Sequence, residues 1–151
     1  MRAVVQRVSE AEVAVGDEVI SRIGQGILVL LGMEKGDGEA ERQYLVRKMA
    51  NLRIFGDADG KMNLSVKDVG GEILVVSQFT LSADCRKGNR PSFDRSESPE
   101  HAETMYLKVV EDLRKLGITT RTGRFGASMS VRLVNAGPVT FIIDTPARHE
   151  G

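Results

Sequence analysis

Apolar residues in the first part of the chain alternate in short runs. Val4, Val8, Val13, Val15, Val19 and Ile23 fall in stretches interrupted at Gly16-Asp17, the pattern of a β-hairpin, and Gly24-Gln25-Gly26 marks the next turn. Residues 27–31 are apolar without a break and bounded by glycines, which predicts a strand buried on both faces and therefore central. Beyond Gly36-Asp37-Gly38 the period changes. Tyr44, Leu45, Met49 and Leu52 recur at helical spacing among charged residues, predicting an amphipathic helix over 39–52 that covers one sheet face. Gly56-Asp57-Ala58-Asp59-Gly60 reads as a turn, because its glycine comes too early for a calcium loop and the closing glutamate is missing. Residues 72–81 form a second strong strand, followed by a polar stretch over 82–98. Ser98-Pro99-Glu100 then supplies an N-cap, a proline at the first helical position and an acid in the first turn. The helix predicted over 99–116 carries one stripe of Ala102, Met105, Tyr106, Val109, Val110, Leu113 and Leu116, with Gly117 at its C-terminal cap. Strands at 118–122, 131–134 and 139–143 close the chain, the last two meeting at Asn135-Ala136-Gly137-Pro138-Val139-Thr140. The fold class is α+β: an antiparallel-rich sheet or partly open β-barrel with two amphipathic helices packed on it, in a single domain over 1–151.

Composition narrows the classes that remain. With 41% hydrophobic and 28% charged residues, the chain can bury a core without disulfides or metals. No apolar stretch approaches the roughly 20 residues of a membrane helix, and the alternating N-terminus supports neither a signal nor a transit peptide, so a cytoplasmic protein with no membrane partner is expected. The single cysteine, Cys85, forms no internal disulfide and no cysteine-rich zinc site. Lys plus Arg equals Asp plus Glu at 21 each, so attraction to a polyanion has to come from local clustering.

The catalytic inventory is informative for what it lacks. His101 falls in a helix's first turn and His149 in a polar tail, and neither is placed as a general base, so a Ser-His-Asp or Cys-His triad is not expected. Metal-ligand spacings, a P-loop and a dinucleotide fingerprint are also missing, and neither a metal nor a cofactor is expected. What remains are hydroxyls, amides and backbone groups at strand ends: Ser77, Gln78 and Thr80 at one, Asn135, Gly137 and Thr140 near another. Such groups suit an oxyanion hole and substrate orientation better than proton transfer. On the residues alone, Ser77 and Gln78 also read as a polar strand end, Phe79, Phe125 and Met129 as core, Gly137-Pro138 as a tight turn, and Arg86, Lys87 and Arg90 as a solvated loop.

Four segments in order tip that balance: Ser77-Gln78-Phe79-Thr80-Leu81, Arg86-Lys87-Gly88-Asn89-Arg90-Pro91-Ser92-Phe93, Thr122-Gly123-Arg124-Phe125-Gly126-Ala127-Ser128-Met129, and Asn135-Ala136-Gly137-Pro138-Val139-Thr140. With the Arg2-Ala3-Val4-Val5-Gln6-Arg7-Val8 opening, they make the chain resemble the D-aminoacyl-tRNA deacylases over essentially its whole length. One departure is Ala136, where that family commonly has aspartate. The resemblance implies a homodimer that hydrolyses the ester between a D-amino acid, or glycine, and the 3′-terminal adenosine of aminoacyl-tRNA, proofreading in trans. It implies a cis Gly137-Pro138 bond reaching into the neighbouring subunit as the chiral filter, since a cis bond holds two successive carbonyls in one direction. It assigns Thr80, Ser77 and Gln78 to the catalytic site, Phe79, Phe125 and Met129 to the adenosine and aminoacyl pocket, and Arg86, Lys87 and Arg90 to tRNA contact. With no base in place to activate Thr80, water is the expected nucleophile, helped by the 2′-hydroxyl of the tRNA. A binding module without activity is the competing reading, with Ala136 as its one visible sign.

Overall fold

The computed structural model describes residues 1–147, so His149 lies outside the described residues. The elements run β1 (Arg2–Val15), β2 (Glu18–Ile23), β3 (Gly26–Gly32), α1 (Glu39–Asn51), the small hairpin β4 (Phe55–Gly56) and β5 (Met62–Leu64), and β6 (Glu72–Ser77). A one-turn 3-10 helix (Phe79–Ser82), α2 (Pro99–Lys115), β7 (Thr120–Thr122) and β8 (Ser130–Asp144) follow. β1 is the organising strand. It pairs antiparallel with β3 through its first half, with β2 through its second, and with β8 from Arg2↔Asp144 to Ala14↔Ser130. β6 lies parallel to β3 and β7 parallel to β6, because α1 and α2 carry the chain back across the sheet between them. The sheet is thus antiparallel around β1 and parallel beyond β3. It curls until the Ser21 hydroxyl of β2 donates to the Thr122 carbonyl at the end of β7, which nearly closes it into a barrel.

The unbroken apolar run of β3 follows from its two buried faces. Ile27, Val29 and Leu31, with Ile73 and Val75 of β6, pack on Leu45 and Met49 of α1 and Tyr106, Val109 and Leu113 of α2. Leu28, Leu74 and Val76 point the other way, into a second cluster with Val8, Val13 and Ile23. The β3–β6 approach is tight at its start, where a Cβ on Gly26 would stand 1.8 Å from the Glu72 carbonyl oxygen. Only glycine fits that register.

Helix signals read from the sequence hold to within a residue at each end. The Glu41 carboxylate accepts from the Gly38 amide at 2.8 Å to open α1, and the Ser98 hydroxyl accepts from the His101 amide at 3.4 Å to open α2. Arg42 Nε, 2.9 Å from Asp112 Oδ2, ties the helices together. The predicted stripe stops short: Leu116 stays 47% exposed past the end of α2. In the β4–β5 turn the Asp57 carboxylate accepts the amides of Lys61 and Asp59, bonds that hold its pKa below the ordinary carboxylate range.

Two strands differ from expectation. β6 stops at Ser77 rather than at residue 81, because Leu81 N donates back to Gln78 O at 3.2 Å and coils the following residues into the 3-10 turn. The two predicted strands at 131–134 and 139–143 are one strand, β8, with Asn135–Thr140 inside it. Fourteen residues of β1 provide a ladder for the whole span, and register shifts opposite Val8 absorb the irregularity around Gly137.

The Tyr106 hydroxyl donates to Val75 O at 2.7 Å, and burial pushes its pKa up to about 12 from 10.0. The folded value lies above the unfolded one, so the stability it confers is complete below pH 10 and drains away as pH rises toward 12, a loss of about 2 kcal/mol. Urea unfolding at pH 8 and pH 11.5 checks this: Tyr106→Phe should cost about 1 kcal/mol at the lower pH and show less alkaline loss than the wild type.

Candidate active site

The site starts where β6 ends. Leu31 pairs with Ser77, and Gln78 N donates to Leu31 O at 2.8 Å, the last ladder bond before the chain turns. The 3-10 turn that follows leaves the Phe79 and Thr80 amides at its start without intrahelical acceptors and swings the Phe79 ring out, 58% exposed. The Gln78 side-chain amide donates to the Thr80 hydroxyl.

Beside this turn lies a cleft of about 590 Å³. Ser77, Gln78 and Phe79 form one wall, Phe93, Ser96 and Glu97 another, Ala102 of α2 contributes to the lining, and Phe125, Ala127 and Met129 come from the loop between β7 and β8. Phe93 meets Phe79 edge-on, with centroids 5.2 Å apart, and the Ser96 hydroxyl donates to Phe79 O at 3.4 Å. Phe125 leans on the Tyr106 ring at 5.9 Å. Glu97 is the one ionisable side chain among the lining residues. Its Oε1 accepts from Ser98 N at 2.8 Å and its Oε2 stands 3.7 Å from His101 Nδ1. A pocket so aromatic and so poor in charge suits a flat heteroaromatic group with a few oriented polar atoms. It offers hydroxyls, amides and backbone N–H groups to a reacting carbonyl.

Of the residues expected at the site, the structure brings Ser77, Gln78, Phe79, Phe125 and Met129 together around this one cleft. Thr80 does not line it, because the 3-10 turn carries it to the exposed side, where its hydroxyl is held by Gln78. Gly137 and Pro138 stand elsewhere. Their strand lines the cleft only at Val131, near its start, and the Gly137-Pro138 segment further along is exposed rather than turned into the cleft of its own chain. The Gly137-Pro138 peptide bond is cis, and Gly137 has φ +133°. Arg7 braces it, its Nε donating to Ala136 O at 3.0 Å and its Nη1 to Ile54 O at 2.8 Å. Asn135 adds a second brace, with Oδ1 accepting from Val139 N at 3.0 Å and Nδ2 donating to Thr140 Oγ1 at 2.9 Å. A Cβ on Gly137 would come within 2.7 Å of the Arg7 guanidinium. Arg86, Lys87 and Arg90 sit on an exposed loop closed by paired backbone bonds between Asp84 and Ser92 at 2.8 and 2.9 Å. Arg86 is engaged by Asp84 at 2.7 Å and drives that carboxylate far below its usual range, while Lys87 and Arg90 form no ion pair among the described residues.

Phe93, Ser96 and Glu97 lie in a stretch without periodicity and are not among the residues the sequence points to, nor is Arg7 as the brace of Gly137. The proximity of Phe93 to the motif it packs on had no local signal. Another depression, of about 430 Å³ between β1 and β8, encloses Glu12, whose carboxylate is taken up by Arg22 at 2.6 Å and Arg132 at 3.0 Å. These bonds lower the Glu12 pKa and leave it no part in chemistry.

Comparison with known proteins gives the same direction. Over residues 4–144 the sequence matches the family described as D-Tyr-tRNA(Tyr) deacylase. A D-aminoacyl-tRNA deacylase of Alteromonas mediterranea is 60% identical over 141 residues, covering 93% of this chain and 97% of its own. That of Geobacter sulfurreducens is 57% identical over 148 residues, covering 98% and 97%. The solved structure of a c-Myc DNA Unwinding Element Binding Protein superposes with a TM-score of 0.92 at 48% identity, covering 97% of this chain and 100% of its own. That of a probable eukaryotic D-amino acid tRNA deacylase shares the fold at TM-score 0.82 and 18% identity, covering 95% and 98%. Strand order, a cleft at the end of β6 and similarity along nearly the whole length lead to one conclusion: the chain belongs to the D-Tyr-tRNA(Tyr) deacylase family and is a hydrolase of D-aminoacyl-tRNA.

Proposed function

We propose that two copies of this chain associate so that the partner's Gly137 and Pro138 complete each cleft and select the D configuration. One observation carries this reading: the Gly137-Pro138 segment is braced rigidly by Arg7 and Asn135, yet faces away from the cleft of its own chain. Its strand suits self-association. Among the described residues β8 pairs with β1 alone, and it exposes Val134, Phe141 and Ile142 at 49%, 38% and 68%, apolar surface that a second copy would cover.

In this reading the terminal adenosine of the tRNA lies among Phe79, Phe125 and Met129, and the ester carbonyl sits at the end of β6 beside Ser77 and Gln78. The partner's Gly137 and Pro138 present carbonyl oxygens to the substrate ammonium and leave no room for an L side chain, so selectivity comes from rejection. Glycine has nothing to reject, and glycyl-tRNA mischarged on tRNA(Ala) is hydrolysed as well. Water attacks the carbonyl with help from the 2′-hydroxyl of the terminal ribose, and the Phe79 and Thr80 amides hold the oxyanion. The bond to the 3′-oxygen breaks, releasing D-amino acid and tRNA. Thr80 acts through its backbone amide, and its hydroxyl, outside the cleft, fixes the Gln78 side chain. Arg86, Lys87 and Arg90 meet acceptor-end phosphates, and no metal or cofactor enters. The enzyme so described proofreads in trans in the cytoplasm, where aminoacyl-tRNA is found. One solved relative is named for binding a DNA element, and a binding-only reading predicts no ester hydrolysis at all.

Matched D-tyrosyl-tRNA and L-tyrosyl-tRNA, incubated with the enzyme and a chelator, test the whole reading. Loss of the D ester alone is expected. Equal loss of both would remove the chiral filter, and loss of neither would leave a binding module. Gly137→Ala forces a side chain against Arg7 at a φ that favours glycine, and should lower D-tyrosyl-tRNA hydrolysis about 100-fold while the protein stays folded, with Tm down by about 5 °C. Thr80→Ala should stay within about tenfold of wild type in single-turnover rate, whereas complete loss together with a trapped acyl-enzyme in the wild type would make Thr80 the nucleophile.

A further inference from the structure

A second depression, of about 490 Å³, opens at the C-terminal end of α1 and is lined by Tyr44, Arg47, Lys48, Asn51, Leu52 and Arg53. Arg47, Lys48 and Arg53 are exposed, and among the described residues none of them forms an ion pair. This sets them apart from Arg22, Arg42, Arg86 and Arg132, each held by a carboxylate. Lys48 Nζ stands 5.5 Å from the centre of the Tyr44 ring. Arg53 Nε donates to Asn63 O at 3.2 Å and its Nη2 to the Asn63 side-chain oxygen, neutral acceptors that leave its charge intact, and Asp68 feels that charge. Cations in the last turn of a helix complement its dipole, which accounts for Lys48. Arg53 lies beyond the helix and has no such role. Three uncompensated cations around a hollow with an aromatic wall fit a phosphodiester backbone.

The position of this hollow says whose phosphates. The Ile54 carbonyl, next to Arg53, accepts from Arg7 Nη1 at 2.8 Å, and Arg7 Nε donates at 3.0 Å to the carbonyl of Ala136, next to Gly137. A groove of about 500 Å³ bordered by Arg7, Phe55, Gly56 and Ala136 runs along the same connection. One arginine therefore couples the cationic hollow to the Gly137-Pro138 segment.

We infer that Arg47, Lys48 and Arg53 form a phosphate-binding patch that grips the acceptor end of the tRNA whose ester is being cleaved. The inference rests on the dimer proposed above. The patch is carried with the Gly137-Pro138 segment, so it flanks the cleft of the other subunit, and each aminoacyl-tRNA is held by both chains: its terminal adenosine by one, with the phosphates that reach Arg86, Lys87 and Arg90, and further backbone phosphates by the other.

Deacylation of D-tyrosyl-tRNA is compared with that of 3′-O-D-tyrosyl-adenosine, a substrate with no phosphate, for the wild type, the Arg47→Glu/Lys48→Glu double variant and Arg53→Gln. For the double variant the KM on tRNA should rise about tenfold near physiological ionic strength, with kcat/KM on the short ester unchanged. The slope of log affinity for uncharged tRNA against log salt should fall by about one per cation removed. Arg53→Gln, which places no acid at a helix end, should show the same split to a smaller degree. Equal losses on both substrates, or an unchanged tRNA affinity and salt slope, would overturn the patch. Wild-type enzyme that hydrolyses neither ester would instead sink the enzymatic reading, and the uncharged-tRNA measurement would still decide the patch. Mixed dimers read the subunit assignment: one chain carries a cleft blocked by Ala127→Trp with the patch intact, the other an open cleft with the patch reversed. A wild-type KM on tRNA is expected, and a raised KM would overturn the placement across subunits.

Discussion

β1 is hydrogen-bonded along both edges, to β3 and then β2 on one and to β8 on the other, for nearly all of its length. A strand committed on both sides leaves its neighbours little freedom of position. β3 is set beside the first half of β1, and β6 and β7 then extend the sheet in parallel, because α1 and α2 return the chain across it each time. β8 becomes the outer strand. β8 reaches the cleft only at its start, where Val131 lines it, while Gly137-Pro138 lies further along the strand and outside that lining.

The cleft itself depends on how β6 stops. A strand that continued to residue 81 would have alternated Gln78, Phe79 and Thr80 between two faces of the sheet. The 3-10 turn instead presents Phe79 as a wall of the cleft, exposes the first amides of the turn and hands Thr80 to Gln78. Phe93 and Ser96 then hold Phe79 from the far side, through a ring edge and a hydroxyl. The polar stretch between β6 and α2 is thereby anchored by the motif it borders.

Zero net charge conceals a sorted distribution. Around β1 and β8, Arg22 and Arg132 share Glu12, between the helices Arg42 meets Asp112, and in the loop after the 3-10 turn Arg86 meets Asp84. These cations are structural. Lys87 and Arg90 in that loop, with Arg47, Lys48 and Arg53 at the end of α1, keep their charge available to solvent. For a polyanionic substrate, such local surpluses govern association where the whole-chain charge exerts no pull.

Features that depend on neighbours a few residues apart were legible in the sequence. The period-two and helical patterns, the Ser98-Pro99 start of α2, the Gly16-Asp17 hairpin and the turn at Asp57 are set by backbone geometry and local hydrogen bonds, and they stand where the pattern put them. Four ordered motifs likewise carried the family. The end of β6 and the continuity of β8 were not legible, because each is decided by a partner distant in sequence: Leu31 takes the last ladder bond of β6, and β1 supports β8 straight through Asn135–Thr140. For the same reason only the tertiary structure could seat Phe93 on Phe79, turn Thr80 out of the cleft and place Arg7 between Ile54 and Ala136. Residue types and short spacings determine which elements form and which chemistry they carry, whereas contacts across tens of residues depend on the register of the sheet, which exists only once the chain has folded.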